Sequence, residues 1–280
     1  MKNKFLEVKL TLESMYFDFL IAELSEINYD SFQEEESTLS AYIEIENFDE
    51  AQLQEVIATY KDVFTTSYEL IELENKNWNE EWEKNFDPVY INNDCVIRAT
   101  FHKIEHNAPY EITINPRMSF GTGHHSTTAL MIEHEIELDF KNKKIFDAGT
   151  GTGVLAIMAH LLGATEIHAC DIDEWSFDNC QENFGLNDCS NVKIEQSTFD
   201  QYANHNAPYD IILANINKNV LLEEIKFYSR KLIKNGYLGL SGFYTEDIKD
   251  IEAEATKYGL RLKRTKDKNN WAALLFEQEE

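Results

Sequence analysis

Ile145-Phe146-Asp147-Ala148-Gly149-Thr150-Gly151-Thr152-Gly153 is followed directly by an apolar segment, Val154 to Leu162. A strand runs into a tight glycine turn and then into a helix. Glycines permit positive φ and let a ligand approach the backbone closely. The order is G-x-G-x-G, whereas the dinucleotide fingerprint is G-x-G-x-x-G; Val154 stands where its third glycine would fall. No Lys-Ser/Thr pair follows the loop, which excludes a P-loop. An acid before the glycines, Asp147, opposes a phosphate ligand and suits a cationic one, such as the sulfonium and amino group of S-adenosylmethionine.

The next predicted strand, Glu166 to Asp171, ends in a carboxylate 22 residues after Gly149. One carboxylate there accepts both hydroxyls of a ribose diol. Asp173 reads as a helix cap. The strand Asp210 to Asn215 ends in Ala214-Asn215-Ile216-Asn217. Ligands of open α/β sheets sit outside the carboxyl ends of the strands, so Asn215 falls near a transferable methyl group. Its amide oxygen accepts N–H bonds and aims an amine lone pair. Asn217 is a second, weaker candidate. A second glycine turn, Asn115 to Thr128, precedes the cofactor strand; Phe120 is placed to stack on a flat ligand, and Thr127 or Thr128 to hydrogen-bond one. His124, His125 and His134 lack metal-ligand spacing and read as surface or capping residues.

Working outward, residues 89–280 alternate strands and helices, with Val89–Ile91, Val96–Ala99 and Ile112–Ile114 as short leading strands. This predicts a parallel sheet covered on both faces, a Rossmann-like α/β fold, closed by an antiparallel hairpin over Leu260–Phe276. Residues 1–75 follow a β-α-β-β-α-β order, that of a ferredoxin-like α+β domain. Leu6, Val8, Leu10 and Leu12 alternate as in a half-buried strand, Met15–Leu24 and Asp49–Phe64 have helical spacing, and Tyr68–Leu73 is the last strand. Residues 76–88 read as a linker helix carrying Trp78 and Trp82 and ending before Pro88.

Charge is the unusual compositional feature. With 25 Lys+Arg against 51 Asp+Glu, the formal net charge is −26. Residues 1–75 hold 18 acidic and 4 basic residues, a formal −14, or about half the total in a quarter of the chain. Such a surface repels nucleic-acid phosphates and attracts a basic protein. Direct nucleic-acid binding is therefore not expected, and the acidic domain reads as a docking module. The four cysteines, Cys95, Cys170, Cys180 and Cys189, form no C-x-x-C pair and read as free, buried thiols. No apolar run reaches the roughly 18 residues of a membrane span, and Met1 to Phe5 does not open a signal core. A monomeric cytoplasmic protein is expected.

These motifs resemble the PrmA family, methyltransferases of ribosomal large-subunit protein eleven. The family pattern P-G-x-A-F-G-T-G-T-H-P-T-T is similar to Pro116 through Thr128, and its W-x-x-x-W connector to Trp78 and Trp82. Its glycine loop and acidic strand end resemble Asp147–Gly153 and Cys170–Asp173. Its A-N-I strand end resembles Ala214–Ile216, and its L-G-x-S-G strand Leu238–Gly242. His124 replaces the usual Thr, Ser126 the usual Pro, and Asn217 and Lys218 stand where small residues are more usual. The resemblance implies S-adenosylmethionine contacts at Thr128, Gly149, Asp171 and Asn215. It also implies that residues 1–75 recognise the ribosomal protein and that its amino groups are methylated. Asp147, Gly151 and Phe120 complete the candidate cofactor set, with Asn215 the candidate catalytic residue. Three rivals stand beside this reading: a nucleic-acid N-methyltransferase, which would carry N/D-P-P-Y/F at the strand end, a small-molecule methyltransferase, and a non-catalytic assembly factor.

Overall fold

The computed structural model describes residues 5–73, 83, 85–117, 120–203 and 208–279. Trp78 and Trp82, and with them most of the expected linker helix, lie outside the described residues. The chain divides into two compact units, Met1–Phe86 and Asp87–Glu280.

In the first unit, β1 (Phe5–Thr11), α1 (Phe17–Glu26), β2 (Ser31–Glu35), β3 (Thr38–Glu44), α2 (Glu50–Thr59) and β4 (Ser67–Leu73) follow in order. The antiparallel sheet runs β2-β3-β1-β4, the arrangement of a ferredoxin-like domain. The alternation in β1 is real: Leu6, Val8 and Leu10 are buried while Phe5, Glu7 and Lys9 are not. Phe17, Leu20 and Leu24 of α1 and Leu53 of α2 close the same core. Each such fully buried aliphatic side chain contributes about 1.5–3 kcal/mol. Two expected helix boundaries shift. Met15 lies exposed in a 3₁₀ turn before α1, and α2 stops at Thr59 although apolar spacing continues to Phe64. Asp49 caps α2, its carboxylate accepting from the Ala51 amide at 2.9 Å.

The second unit holds two sheets. β5 (Val89–Ile91), β6 (Cys95–Ala99) and β7 (Tyr110–Ile114) form a three-stranded sheet of their own. This corrects the expectation that the leading strands join the parallel sheet. The remaining elements are α3 (Ser126–Ile136), β8 (Lys144–Ala148), α4 (Val154–Leu161), β9 (Glu166–Asp171), α5 (Glu174–Leu186), β10 (Val192–Gln196), α6 (Phe199–Ala203), β11 (Tyr209–Asn215), α7 (Lys218–Lys231), β12 (Leu232–Tyr244), α8 (Ile248–Thr256), β13 (Leu260–Lys268) and β14 (Trp271–Gln278). Their sheet runs β10-β9-β8-β11-β12-β14-β13, the first five strands parallel, β14 antiparallel to β12 and β13 antiparallel to β14. Helices cover both faces, which makes β8 and β11 near-continuous apolar runs. Phe146, Ile212, Leu238 and Leu240 pack with Leu221, Ile225 and Tyr228 of α7. The fold is Rossmann-like.

The β5–β7 sheet is attached to α5 by an asparagine ladder. Asn179 and Asn183 on α5 and Asn187 at its C-terminal cap recur every four residues. Asn179 Nδ2 donates to the Asn115 carbonyl at 2.9 Å, and Asn183 Oδ1 accepts from the Asn115 amide at 2.8 Å. Asn187 accepts from the Thr113 amide at 2.9 Å and donates to its carbonyl at 2.6 Å. The helix thus satisfies the β7 edge as a neighbouring strand would. The spacing was open to view in the sequence; its partner was not.

Candidate active site

Chain direction changes hands at β8, which has β9 on one side and β11 on the other. The crevice at such a switch point is where doubly wound sheets bind ligands. The carboxyl ends of these three strands carry Gly149, Asp171 and Asn215, so the fold brings together three candidates spread over 67 residues.

The glycine turn is held from every side. Gly149, Gly151 and Gly153 all have positive φ, at 69°, 56° and 84°. A β-carbon on Gly151 would lie 2.3 Å from the Phe120 carbonyl oxygen, and one on Gly149 would lie 2.4 Å from Ile216 Cγ2. The five amides of the turn are all spent within the protein. Those of Gly149 and Thr150 donate to the Cys170 carbonyl, that of Gly151 to Asp171 Oδ2, that of Thr152 to the Phe120 carbonyl and that of Gly153 to the Thr150 carbonyl. A phosphate nest needs free N–H groups aimed at the ligand. This turn offers a shaped wall instead, in agreement with the missing P-loop residues.

Asp171 grips its surroundings with both oxygens. Oδ2 accepts from the Gly151 amide at 2.9 Å and Oδ1 from the Asp173 amide at 3.0 Å. Each oxygen keeps a further lone pair, and the residue is part-exposed, so the carboxylate is able to accept two more donors. Asp173 is a helix cap, accepting from the Ser176 amide at 2.8 Å.

Asp147 is fully buried beneath the turn. Its Oδ2 accepts from the Thr150 hydroxyl at 2.6 Å. Burial raises its pKa to about 7, against the opposing hydrogen bond from Thr150, and Asp171 adds to the rise. Glu135 on α3 is likewise buried, and both burial and Asp147 push its carboxyl well above the usual range. Both acids are buried, and the Thr150 hydroxyl ties Asp147 to the turn.

At the other wall, Thr127 and Thr128 are buried in the first turn of α3. His125 caps that helix, its Nδ1 lying 2.7 Å from Thr127 Oγ1. Burial lowers the His125 pKa. Asn215 Nδ2 approaches Thr128 Oγ1 at 3.5 Å, while Asn215 Oδ1 is buried without a partner. Phe120 is 56% exposed, and its ring meets that of His125 at 5.4 Å. The ring contacts continue from His125 to Trp271 at 4.5 Å and from Trp271 to Tyr244 at 4.1 Å. An aromatic rim therefore runs from Phe120 to the end of β12. Asn217 caps α7, accepting from the Val220 amide at 3.2 Å.

His134 departs from its expected surface or capping role. It is buried, with Nε2 donating to the Ala273 carbonyl at 3.2 Å, and burial lowers its pKa to about 4. His124 and His125 do behave as expected, at an exposed turn and a helix cap. The four cysteines are free and buried. Sequence reasoning missed Thr152, whose hydroxyl donates to the Gly121 carbonyl at 2.7 Å and ties the two glycine turns together. It also missed Asn183, which donates to the Thr152 carbonyl at 2.8 Å. Among the described residues no helix is long and apolar enough to cross a membrane.

The residues present fit S-adenosylmethionine. The crevice combines an orphaned amide oxygen on Asn215, two carboxylate lone pairs on Asp171 and a turn that tolerates no β-carbon. Comparisons with known proteins agree. The family model described as ribosomal protein L11 methyltransferase (PrmA) matches residues 11–279. The ribosomal protein L11 methyltransferase of Bacteroides thetaiotaomicron is 44% identical over 92% of this chain and 93% of its own length. That of Phocaeicola vulgatus is 41% identical over 98% of this chain and 99% of its own. Among solved structures, a ribosomal protein L11 methylase from Lactobacillus delbrueckii subsp. bulgaricus superposes with a TM-score of 0.63 at 24% identity, covering 70% of this chain and all of that one. The chain belongs to the ribosomal protein L11 methyltransferase (PrmA) family.

Proposed function

We propose that this methyltransferase holds S-adenosylmethionine across the ends of β8, β9 and β11 and transfers methyl groups to amino groups of ribosomal large-subunit protein eleven. The acceptors are lysine side chains, the N-terminal amine, or both. Asp171 accepts the ribose hydroxyls, Gly149 and Gly151 admit the ligand against the backbone, and Thr128 and Phe120 close the opposite side. Asp147 contributes by ordering the turn. The bound cofactor supplies an electrophilic sulfonium methyl.

Asn215 carries the proposal. Its Oδ1 is buried and unpartnered at the end of β11, and an unsatisfied buried acceptor costs about 1–3 kcal/mol. An incoming amine relieves that cost by donating an N–H to it, which aims the nitrogen lone pair along one direction. A lysine with an ordinary pKa near 10.4 must first lose a proton. Desolvation in the crevice lowers that pKa, and water takes the proton. Asn215 donates and accepts hydrogen bonds but forms no covalent intermediate.

The acidic first unit, formal charge −14 over residues 1–75, supports a docking role toward a basic protein. Residues 76–88 link it to the catalytic unit. The enzyme acts as a monomer in the cytoplasm, where the substrate is made. The test is a transfer assay with labelled S-adenosylmethionine and ribosomal proteins from cells lacking the enzyme, resolved by mass. A single labelled band at protein eleven is the expected result; cofactor binding with label elsewhere would discard the substrate.

A further inference from the structure

Asn215 is the last residue of β11, and the chain must turn within three residues to start α7. Ile216 is pressed between two glycines. A β-carbon on Gly149 would meet its Cγ2 at 2.4 Å, and one on Gly242 would meet its carbonyl oxygen at 2.1 Å. Asn217 caps α7, and Lys218 is its first residue. The Lys218 ammonium lies 2.6 Å from Asp247 Oδ1 and 2.6 Å from Asp250 Oδ2. Asp247 uses its other oxygen on the Tyr244 amide at 3.1 Å. The ion cluster therefore joins the segment that carries Asn215 to the turn after β12. That turn also bears Tyr244, whose ring lies against Trp271.

We propose that Lys218 is a positioning residue for methyl transfer, holding the Asn215 amide in register with the crevice through its bridge to Asp247 and Asp250. This rests on the reading of Asn215 given above. Lys218 is no catalytic residue; it acts through the backbone three residues away. Bonds from one ammonium to two carboxylates are charge-assisted and stronger than neutral hydrogen bonds. Removing the ammonium leaves two like charges facing each other on one turn, which repel. The Lys218 and Asp247 side chains are only 28% and 17% exposed, so the Asp247 arm is the better shielded; Asp250 is 62% exposed and contributes less. A small shift of Asn215 would leave the Asp171 carboxylate and the Gly151 amide bonded to it in place while misaligning the acceptor.

The test compares Lys218→Met and Lys218→Arg in the full chain. In ¹⁵N-labelled protein the Asn215 side-chain amide pair, assigned by its loss in Asn215→Ala, is followed with and without S-adenosylmethionine. Lys218→Met should broaden or split that pair, leave the cofactor Kd within about threefold and lower kcat roughly tenfold. Lys218→Arg should restore both signal and turnover. An unchanged Asn215 signal, or an Arg variant as impaired as the Met variant, overturns the proposal. So does a general shift of resonances with a lowered melting temperature, which marks a merely structural role. Should Lys218→Met not fold, Asp247→Asn gives the same comparison. If the native enzyme fails to methylate protein eleven, the substrate assignment falls, and the amide signal still decides the clamp.

Discussion

The amide nitrogen of Asn215 and the hydroxyl of Thr128, 87 residues apart in sequence, meet at 3.5 Å across the carboxyl end of the sheet. The contact orients the amide so that Oδ1 faces away from Thr128, buried and free to accept. Replacing Asn215 with Ala should therefore lower kcat by roughly a hundredfold while cofactor affinity changes far less. Steady-state kinetics at saturating protein substrate, paired with a cofactor titration, measure both. Undiminished turnover would remove Asn215 from the mechanism.

Gly151→Ala tests the turn. Its φ of 56° is left-handed, and the new β-carbon would lie 2.3 Å from the Phe120 carbonyl oxygen. Backbone has to move, and with it the Gly151 amide bonded to Asp171. The variant should lose about 1 kcal/mol or more of stability and bind S-adenosylmethionine at least tenfold more weakly by calorimetry. Gly149→Ala should also destabilise, because its φ of 69° is left-handed and its β-carbon would lie 2.4 Å from Cγ2 of Ile216, a β-branched side chain that is stiff at χ1. Equal cofactor affinity in Gly151→Ala and native protein would contradict the tight-wall account.

Asp171→Ala removes an acceptor from the Gly151 and Asp173 amides as well as from a ribose diol. Hydrogen bonds to a charged group contribute about 1.5–3 kcal/mol each, so the cofactor Kd should rise by two orders of magnitude or more. Asp171→Asn keeps one carbonyl oxygen and should lose roughly tenfold. A deoxyribose analogue of the cofactor separates the two roles. In the native protein the analogue should bind more weakly than the cofactor, in Asp171→Ala the two should bind alike, and the analogue's own loss between the two proteins measures the role of Asp171 in the turn.

Much of this site was legible in order of appearance along the chain. Gly149, Asp171 and Asn215 each end an apolar run, and a parallel sheet necessarily places such ends on one edge. The depth of Asp147 was not legible, because an acid before a glycine turn reads the same whether it faces the ligand or lies beneath the loop. Nor were the double role of Asp171, the ties made by Thr152, or the burial of His134, since each depends on a partner from a distant segment. The β5–β7 strands show periodicity as clear as any other, yet periodicity carries no information on which sheet a strand joins. Their separation is explained by the α5 asparagines that occupy the β7 edge.

The buried pair under the turn gives a pH prediction with a definite sign. Asp147 has its pKa raised from 3.8 to about 7, chiefly by burial. A carboxyl whose folded pKa is raised binds its proton more tightly in the native state. Its contribution to stability is complete below about pH 4 and is lost as pH rises toward 7, at up to about 1.4 kcal/mol per unit. Asp147→Asn cannot ionise and keeps an oxygen for the Thr150 hydroxyl. Its stability relative to the native chain, from urea unfolding, should climb between pH 4 and 7 and then level off. Glu135, raised in the same direction and coupled to Asp147, should lose part of its shift in that variant. A stability difference that is flat across this range would mean that Asp147 is ionised throughout, and that the turn rests on a buried charge instead of a neutral acid.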